Sequence, residues 1–262
     1  MPELPDVETV AAMLRRRVRG KRIRRVRLLT PSTVRSPDPA TFTRLLRGRR
    51  VQQIVRRGKY LLIGLDGGLT LVAHLRMTGD FEITDPKMPI HPHTRVIFEI
   101  DGRHLRFTDQ RRFGHMDLLT PQGLSQFPGL SRMGIEPLGP QFTLAKFREI
   151  VRARRGTVKA LLLRQDLIAG IGNIYADEIL WRARLHPARR IGSLRPDRLT
   201  LLYRTIRTVL RTAVAGLSRY GQPVGRFLAA REQNGHCPRC GRSLAVDRIA
   251  GRTTYFCRTC QR

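Results

Sequence analysis

The sequence predicts an α+β protein in which strands come first, helices follow, and a small cysteine-bearing unit closes the chain. Three observations carry this. Short segments of β-type residues separated by turn signals run from about Ile23 to Leu119. Beyond Leu144 the apolar residues recur at helical spacing. All four cysteines fall at the C-terminal end, as Cys237-Pro-Arg-Cys240 and Cys257-Arg-Thr-Cys260.

Taken in order, Val7, Val10, Ala11 and Leu14 share one helical face, with Pro5 and the acids Glu3, Asp6 and Glu8 at its start, which predicts a short N-terminal helix. Ile54–Val55 and Tyr60–Leu65 read as strands, and Asp66-Gly67-Gly68 turns the chain into Leu69–Leu75. Thr94–Ile100, a turn at Asp101-Gly102 and His104–Thr108 give a second hairpin. Short antiparallel strands of this kind close as a sandwich or a barrel. Pro and Gly residues between Pro121 and Pro140 mark a linker. Leu144, Phe147, Ile150 and Val151 form one helical stripe, Val158, Leu161 and Leu162 a second, and Leu199 to Ala213 a long third. Between them, Ala169-Gly170-Ile171-Gly172 turns the chain before a helix restarts at Asn173, the spacing of a helix–two-turn–helix. Its glycines let a phosphate approach backbone N–H groups at a helix N-terminus, although a purely structural helical hairpin has the same pattern. The expected divisions are 1–133, 134–230 and 231–262.

Two C-x2-C knuckles at this separation suit tetrahedral thiolate ligation of one structural Zn²⁺ by Cys237, Cys240, Cys257 and Cys260, with Thr253–Phe256 as the return strand of a hairpin. Paired disulfides are the alternative, disfavoured in a reducing compartment. So short a unit cannot build its own core, and the metal should hold it folded. By itself the ribbon would equally suit a ribosomal or transcription-factor protein.

Charge points to the partner. The 262 residues carry 50 Lys+Arg against 20 Asp+Glu, a formal +30, which calls for a polyanion, nucleic acid by default. No apolar run approaches the length of a membrane span, and acids occupy the N-terminal stretch where a signal peptide would be basic and then apolar. Only five of the basic residues are lysines (Lys21, Lys59, Lys87, Lys146 and Lys159); genomic composition accounts for most of this bias, but each lysine is worth testing for a role a flat guanidinium cannot fill, and Lys59 and Lys159 are the two that fall on motif positions.

The N-terminus is itself a chemical site. Removing Met1 would leave Pro2 as a secondary amine; an α-amino group titrates at about 7.7–8, and a following helix N-terminus lowers this further. A neutral amine can attack C1′ of a deoxyribose and form an iminium, with Glu3 beside it to move protons. The acids could instead serve only the helix dipole.

Here the residues resemble a known family. The run Met1-Pro2-Glu3-Leu4-Pro5-Asp6-Val7-Glu8-Thr9, then Gly58-Lys59-Tyr60-Leu61, His74-Leu75-Arg76-Met77-Thr78-Gly79, Asp109-Gln110-Arg111-Arg112-Phe113-Gly114, Gly170-Ile171-Gly172-Asn173-Ile174-Tyr175-Ala176 and the cysteine ribbon are similar, in order, to the formamidopyrimidine-DNA glycosylases of base-excision repair. The resemblance implies an N-terminal helix plus antiparallel β-sandwich, a helical domain with the helix–two-turn–helix, and a zinc ribbon, with double-stranded damaged DNA in a basic cleft. It implies a monomeric bifunctional glycosylase and AP lyase, cytoplasmic and nucleoid-associated in a bacterium. Pro2 would be the Schiff-base nucleophile, Glu3 the proton shuttle for β,δ-elimination, and Lys59 a donor to the lesion phosphate or sugar. Met77, Arg111 and Phe113 would fill the void left by the flipped nucleotide, although Met77 and Phe113 read in isolation suit a core. His74, Lys159, Asn173 and Arg258 would contact phosphates.

Two features depart from the family pattern. Asp6 stands where many members carry Glu, and only Leu228 to His236 separate Phe227 from Cys237, where 8-oxoguanine-cutting relatives insert a longer capping loop. The expectation is a poor 8-oxoguanine enzyme that favours ring-opened purines, hydantoins, oxidised pyrimidines or abasic sites. A non-catalytic damaged-DNA binder on the same scaffold and a variant acting mainly on abasic sites are the alternatives, and an RNA-associated ribbon protein would leave the N-terminal motif unexplained.

Overall fold

The computed structural model describes residues 1–152, 154–221 and 225–262. The chain forms two compact units, Met1–Pro2 with Asp6–Arg132 and Glu3–Pro5 with Met133–Arg262.

Helix α1 (Leu4–Arg17) places Val7, Ala11 and Leu14 in the core of the first unit. Nine strands follow: β1 (Ile23–Leu28), β2 (Val34–Ser36), β3 (Val51–Arg57), β4 (Tyr60–Leu65), β5 (Thr70–His74), β6 (Gly79–Thr84), β7 (Thr94–Ile100), β8 (Arg103–Asp109) and β9 (His115–Leu119). They form a four-stranded sheet, β1-β7-β8-β6, and a five-stranded sheet, β2-β9-β5-β4-β3. Val96, Phe98 and Phe107 of the first and Leu61, Leu71 and Met116 of the second share one buried cluster, which makes the arrangement a sandwich and not a barrel. Both expected hairpins form; Asp101 and Gly102 each have positive φ (38° and 78°), the mirror-image turn whose twist matches the strands.

Two elements differ from the sequence expectation. The β2–β9 pair is parallel, because β2 arrives by a long connection and not a hairpin. Helix α2 (Pro39–Leu46) interrupts the run of strands. Asp38 caps it by accepting the N–H groups of Ala40 and Thr41, both at 3.0 Å, and Phe42 and Leu46 bury one face. The Asp-Pro start was a helix signal overlooked among β-rich neighbours. The linker likewise holds two short helices, α3 (Pro121–Gln126) and α4 (Pro128–Ser131).

The second unit is built on α5 (Leu144–Arg152), α6 (Val158–Leu163), α7 (Asn173–Arg182), α8 (Pro196–Tyr220) and α9 (Arg226–Ala230). Phe147, Leu162, Ile179, Leu202, Ile206 and Leu210 form its core, as the helical stripes predict. The hairpin β10 (Ala245–Ile249) and β11 (Arg252–Phe256) completes the ribbon, and Trp181, Phe227, Cys237 and Cys257 form a cluster between it and the helices. No helix among the described residues is long and apolar enough to cross a membrane.

Candidate functional site

In the second unit the site is organised by the N-terminus of α7. Gly172, at its N-cap, has no side chain to satisfy the helix's first N–H groups. Glu3 does this from 169 residues away: Oε2 accepts from Gly172 (2.7 Å) and Tyr175 (3.2 Å), and Oε1 from Ile174 (2.8 Å). Its side chain is 1% exposed. Three amide donors and the positive end of a helix dipole favour a charged carboxylate there. Glycine is required at 172 by proximity, since a Cβ would strike the Glu3 carboxyl group. Gly170 combines a φ of +85° with a Cβ position 2.7 Å from Leu4 Cβ. Gln165 shapes the turn by accepting Gly170 N–H and donating to the Ile171 carbonyl. The acid that follows Pro2 is thus built into the helix–two-turn–helix, and Pro2 itself is half-buried.

Asn173 donates from Nδ2 to the Thr253 carbonyl at 2.8 Å, which ties the ribbon hairpin to α7, and its second amide hydrogen is left for a ligand oxygen. Arg258 is exposed on the second knuckle. Lys159 corrects the sequence reading. It is fully buried, with Nζ 2.6 Å from Asp177 Oδ1 and 2.7 Å from Thr254 Oγ1. Asp177 also accepts from Arg231 Nε at 2.8 Å. Burial pushes the Lys159 ammonium down from its ordinary value, opposed by Asp177. A cation sealed in this way cannot meet a DNA phosphate without breaking its ion pair, so its role is to join α6, α7 and β11. The scarcity of lysine signalled a special position, but one chosen for packing.

The four cysteines suit a metal. None is in a disulfide, and their Sγ atoms all lie within 4.8 Å of one another. The Cys237–Cys260 and Cys240–Cys257 separations of 3.9 and 3.6 Å bracket the edge of about 3.8 Å that Zn–S bonds of ~2.3 Å generate. Trp181 Nε1–H donates to Cys237 Sγ at 3.4 Å, orienting one ligand. The set fits one structural zinc ion.

In the first unit Lys59 lies on the tight β3–β4 turn after Gly58 and is 9% exposed. Its charge acts on His74, which stands opposite Tyr60 on β5. The His74 ring is edge-on to Tyr60 at 4.6 Å and stacked on His115 at 5.6 Å. Its Nδ1 accepts the Arg76 N–H at 3.0 Å, so the proton resides on Nε2. Burial first, then the charges of Arg76 and its neighbours, lower its pKa to about 3. Since the unfolded value is near 6.5, any stability linked to this neutral ring is complete above pH 6.5 and is lost as pH falls toward 3. A neutral donor releases no counterion. His74→Ala should therefore weaken duplex binding while leaving the slope of log K against log salt unchanged; a slope reduced by about 0.9 would show a charged contact.

Met77 and Phe113 are 36% and 52% exposed, which removes the core reading for both. The Arg111 guanidinium lies 4.8 Å over the Phe113 ring. Their loops are clamped by Asp109, fully buried, whose carboxylate accepts from the Thr78 hydroxyl, Arg111 N–H (3.2 Å) and Gly114 N–H (2.6 Å). Thr78 Oγ1 in turn accepts from Arg111 N–H at 3.1 Å. Sequence reasoning missed this clamp although Asp109 opens a motif it had singled out, because a polar residue beside exposed arginines gives no sign of burial.

Residues 1–116 match a family described as "Formamidopyrimidine-DNA glycosylase N-terminal domain", 133–221 its "H2TH domain", and 236–262 a "Zinc finger found in FPG and IleRS". A formamidopyrimidine-DNA glycosylase of Symbiobacterium thermophilum is 45% identical across all of this chain and 89% of its own length. This chain belongs to the formamidopyrimidine-DNA glycosylase family. The Heliobacterium modesticaldum relative is 43% identical over the whole of both chains. The fold agrees: Lactococcus lactis Fpg bound to DNA containing an abasic site superimposes with a TM-score of 0.90 at 30% identity, over 99% of each chain. A complex of that enzyme with DNA containing an oxidized pyrimidine gives the same TM-score at 31% identity. The α+β architecture, the H2TH segment and the zinc-finger cysteines are thus family features.

Proposed function

We propose that the protein is a bifunctional DNA glycosylase and AP lyase of base-excision repair, acting as a monomer on double-stranded DNA. The observation that carries this reading is Glu3, an acid fixed on the N-terminus of α7 immediately after the candidate nucleophile. With Met1 removed, the Pro2 nitrogen lone pair forms a bond to C1′ as the bond from C1′ to the base breaks, and the proton that nitrogen then sheds balances the one the departing base takes up. The ring C1′–O4′ bond then opens, O4′ is protonated, and the amine becomes an iminium. Glu3 serves as the proton carrier, and as the base for the C2′ proton whose loss expels the 3′ phosphate. Lys59 and neutral His74 hold the phosphates, and Met77, Arg111 and Phe113 occupy the vacated stack. Asn173 and Arg258 add phosphate contacts on the second unit. The zinc ion stays outside the chemistry and would keep the ribbon folded.

Borohydride treatment with abasic-site duplex should trap the chain covalently on DNA through Pro2. Binding without a trapped adduct would make the protein a damage binder only.

The lesion is inferred from the short C-terminal connection. Residues 222–224 lie outside the described residues, but from Phe227 onward the path is constrained. Glu178 Oε2 accepts the N–H groups of Phe227 (2.9 Å) and Leu228 (3.1 Å), and Phe227 stacks on Trp181 at 5.6 Å. With less protein to cap a flipped purine, hydantoin duplexes should be excised at least about tenfold faster than 8-oxoguanine duplexes, the equivalent of ~1.4 kcal/mol. Comparable single-turnover rates would overturn this preference.

A further inference from the structure

At the end of α7 remote from Glu3 lies a cleft of about 660 Å³ lined by six arginines, Arg184, Arg189, Arg195, Arg198, Arg239 and Arg262, together with Thr259 and the metal-ligand candidate Cys260, and with no Asp or Glu among the described lining residues. Two of these have structural work. Arg198 donates to the carbonyls of Ala183 (3.0 Å) and Arg184 (2.9 Å), and Arg239 to that of Trp181 (3.2 Å) while lying 4.3 Å over its ring. They cap the C-terminal carbonyls of α7, where cations are favourable. Among the described residues no side-chain hydrogen bond or ion pair engages Arg184, Arg189 or Arg262, and Arg195 has a contact of 3.2 Å to exposed Asp197. Like charges gathered around one cleft repel, and an anion that enters relieves the repulsion.

We infer that this cleft binds the phosphodiester backbone of a second DNA segment. The ten residues of α7 separate it by about 15 Å from the Glu3 and Asn173 end, while on the ribbon side Thr259 and Cys260 of its wall follow directly on Arg258, so binding to the already saturated complex is the property that distinguishes a second site. The lining explains why a backbone is the ligand. No Phe, Tyr or Trp is among its described lining residues for a base to stack on, and Trp181, beneath Arg239, is covered by Arg239 and Phe227. Guanidinium groups alone read charge and phosphate geometry without sequence. Such a site would let the enzyme hold one duplex while testing another. The placement of the first duplex rests on the function proposed above.

The test uses zinc-loaded protein saturated with a short duplex carrying a tetrahydrofuran abasic analogue, to which a labelled undamaged duplex is added. The saturated complex should bind the second duplex. The triple variant R184S/R189S/R195S should weaken that step at least tenfold and lower its salt slope by about 2.7, while excision on a short lesion duplex stays unchanged. R184K/R189K/R195K should restore second-duplex binding, which separates lost charge from misfolding. Failure of the saturated wild type to bind a second duplex, or equal binding by the serine variant, would overturn the inference. So would capture of inorganic tripolyphosphate without duplex, which would assign the cleft to a free polyphosphate. Loss of excision by wild-type protein would instead count against the proposed function.

Discussion

Glu3→Gln should reduce single-turnover base excision by about 10²–10⁴-fold, the usual worth of a positioned proton carrier, with damaged-duplex binding retained. The substitution keeps the size of the side chain but replaces one acceptor oxygen by a donor amide. Both oxygens are in use, Oε2 by Gly172 and Tyr175 and Oε1 by Ile174. Whichever way the glutamine amide turns, at least one backbone N–H then faces another donor, a loss of about 1–3 kcal/mol. The variant should therefore melt lower as well as react more slowly. Kinetics and melting together separate the two roles of this residue. A lowered melting temperature with an undiminished excision rate would reduce Glu3 to a helix cap and remove the proposed proton shuttle.

Removing zinc should have the second large effect. Metal binding contributes about 10–16 kcal/mol to the folding of isolated zinc-finger peptides, and the only apolar cluster around Cys237 and Cys257 among the described residues is a small one shared with Trp181 and Phe227 of the helices. Without the ion its links to the helices should loosen together: Trp181 to Cys237, Asn173 to Thr253, Lys159 to Thr254, and Gln261 Nε2 to the Leu185 carbonyl (3.0 Å). Uncovering Lys159 and Asp177 admits water to a buried pair, and the hairpin and Arg258 cease to be fixed. Chelation, or Cys260→Ser, should weaken duplex affinity at least ~100-fold, about 2.7 kcal/mol. The core of the first unit contains no ribbon residue, so its melting transition should persist. Undiminished DNA affinity after verified metal loss would show that the ribbon takes no part in binding.

Much of this was legible because local patterns report burial directly. Val7, Ala11 and Leu14 at helical spacing, the turns at Asp66-Gly67-Gly68 and Asp101-Gly102, and the restart of a helix at Asn173 are all found where the residues put them. Helix α2 escaped because its Asp-Pro cap sits among strand-like neighbours, and eight residues are too few for periodicity to stand out. Met77 and Phe113 needed the structure, since an apolar side chain between polar ones suits either a core or a surface position; their exposure decides for the surface.

The sequence by itself determined the succession of a first helix, strands, later helices and cysteine ribbon, the cysteine ligand set and the adjacency of Pro2 and Glu3, because each depends on residue types at short fixed spacing. Tertiary structure decided which polar groups meet. It carried Glu3 to the start of α7, sealed Lys159 against Asp177 and Thr254, gathered two loops onto Asp109, and ran β2 parallel to β9. The physical reason is the same in each case. A buried charge or an unpaired helix N–H must find a partner, and the partner it finds is set by packing between segments up to 172 residues apart, which no local pattern records.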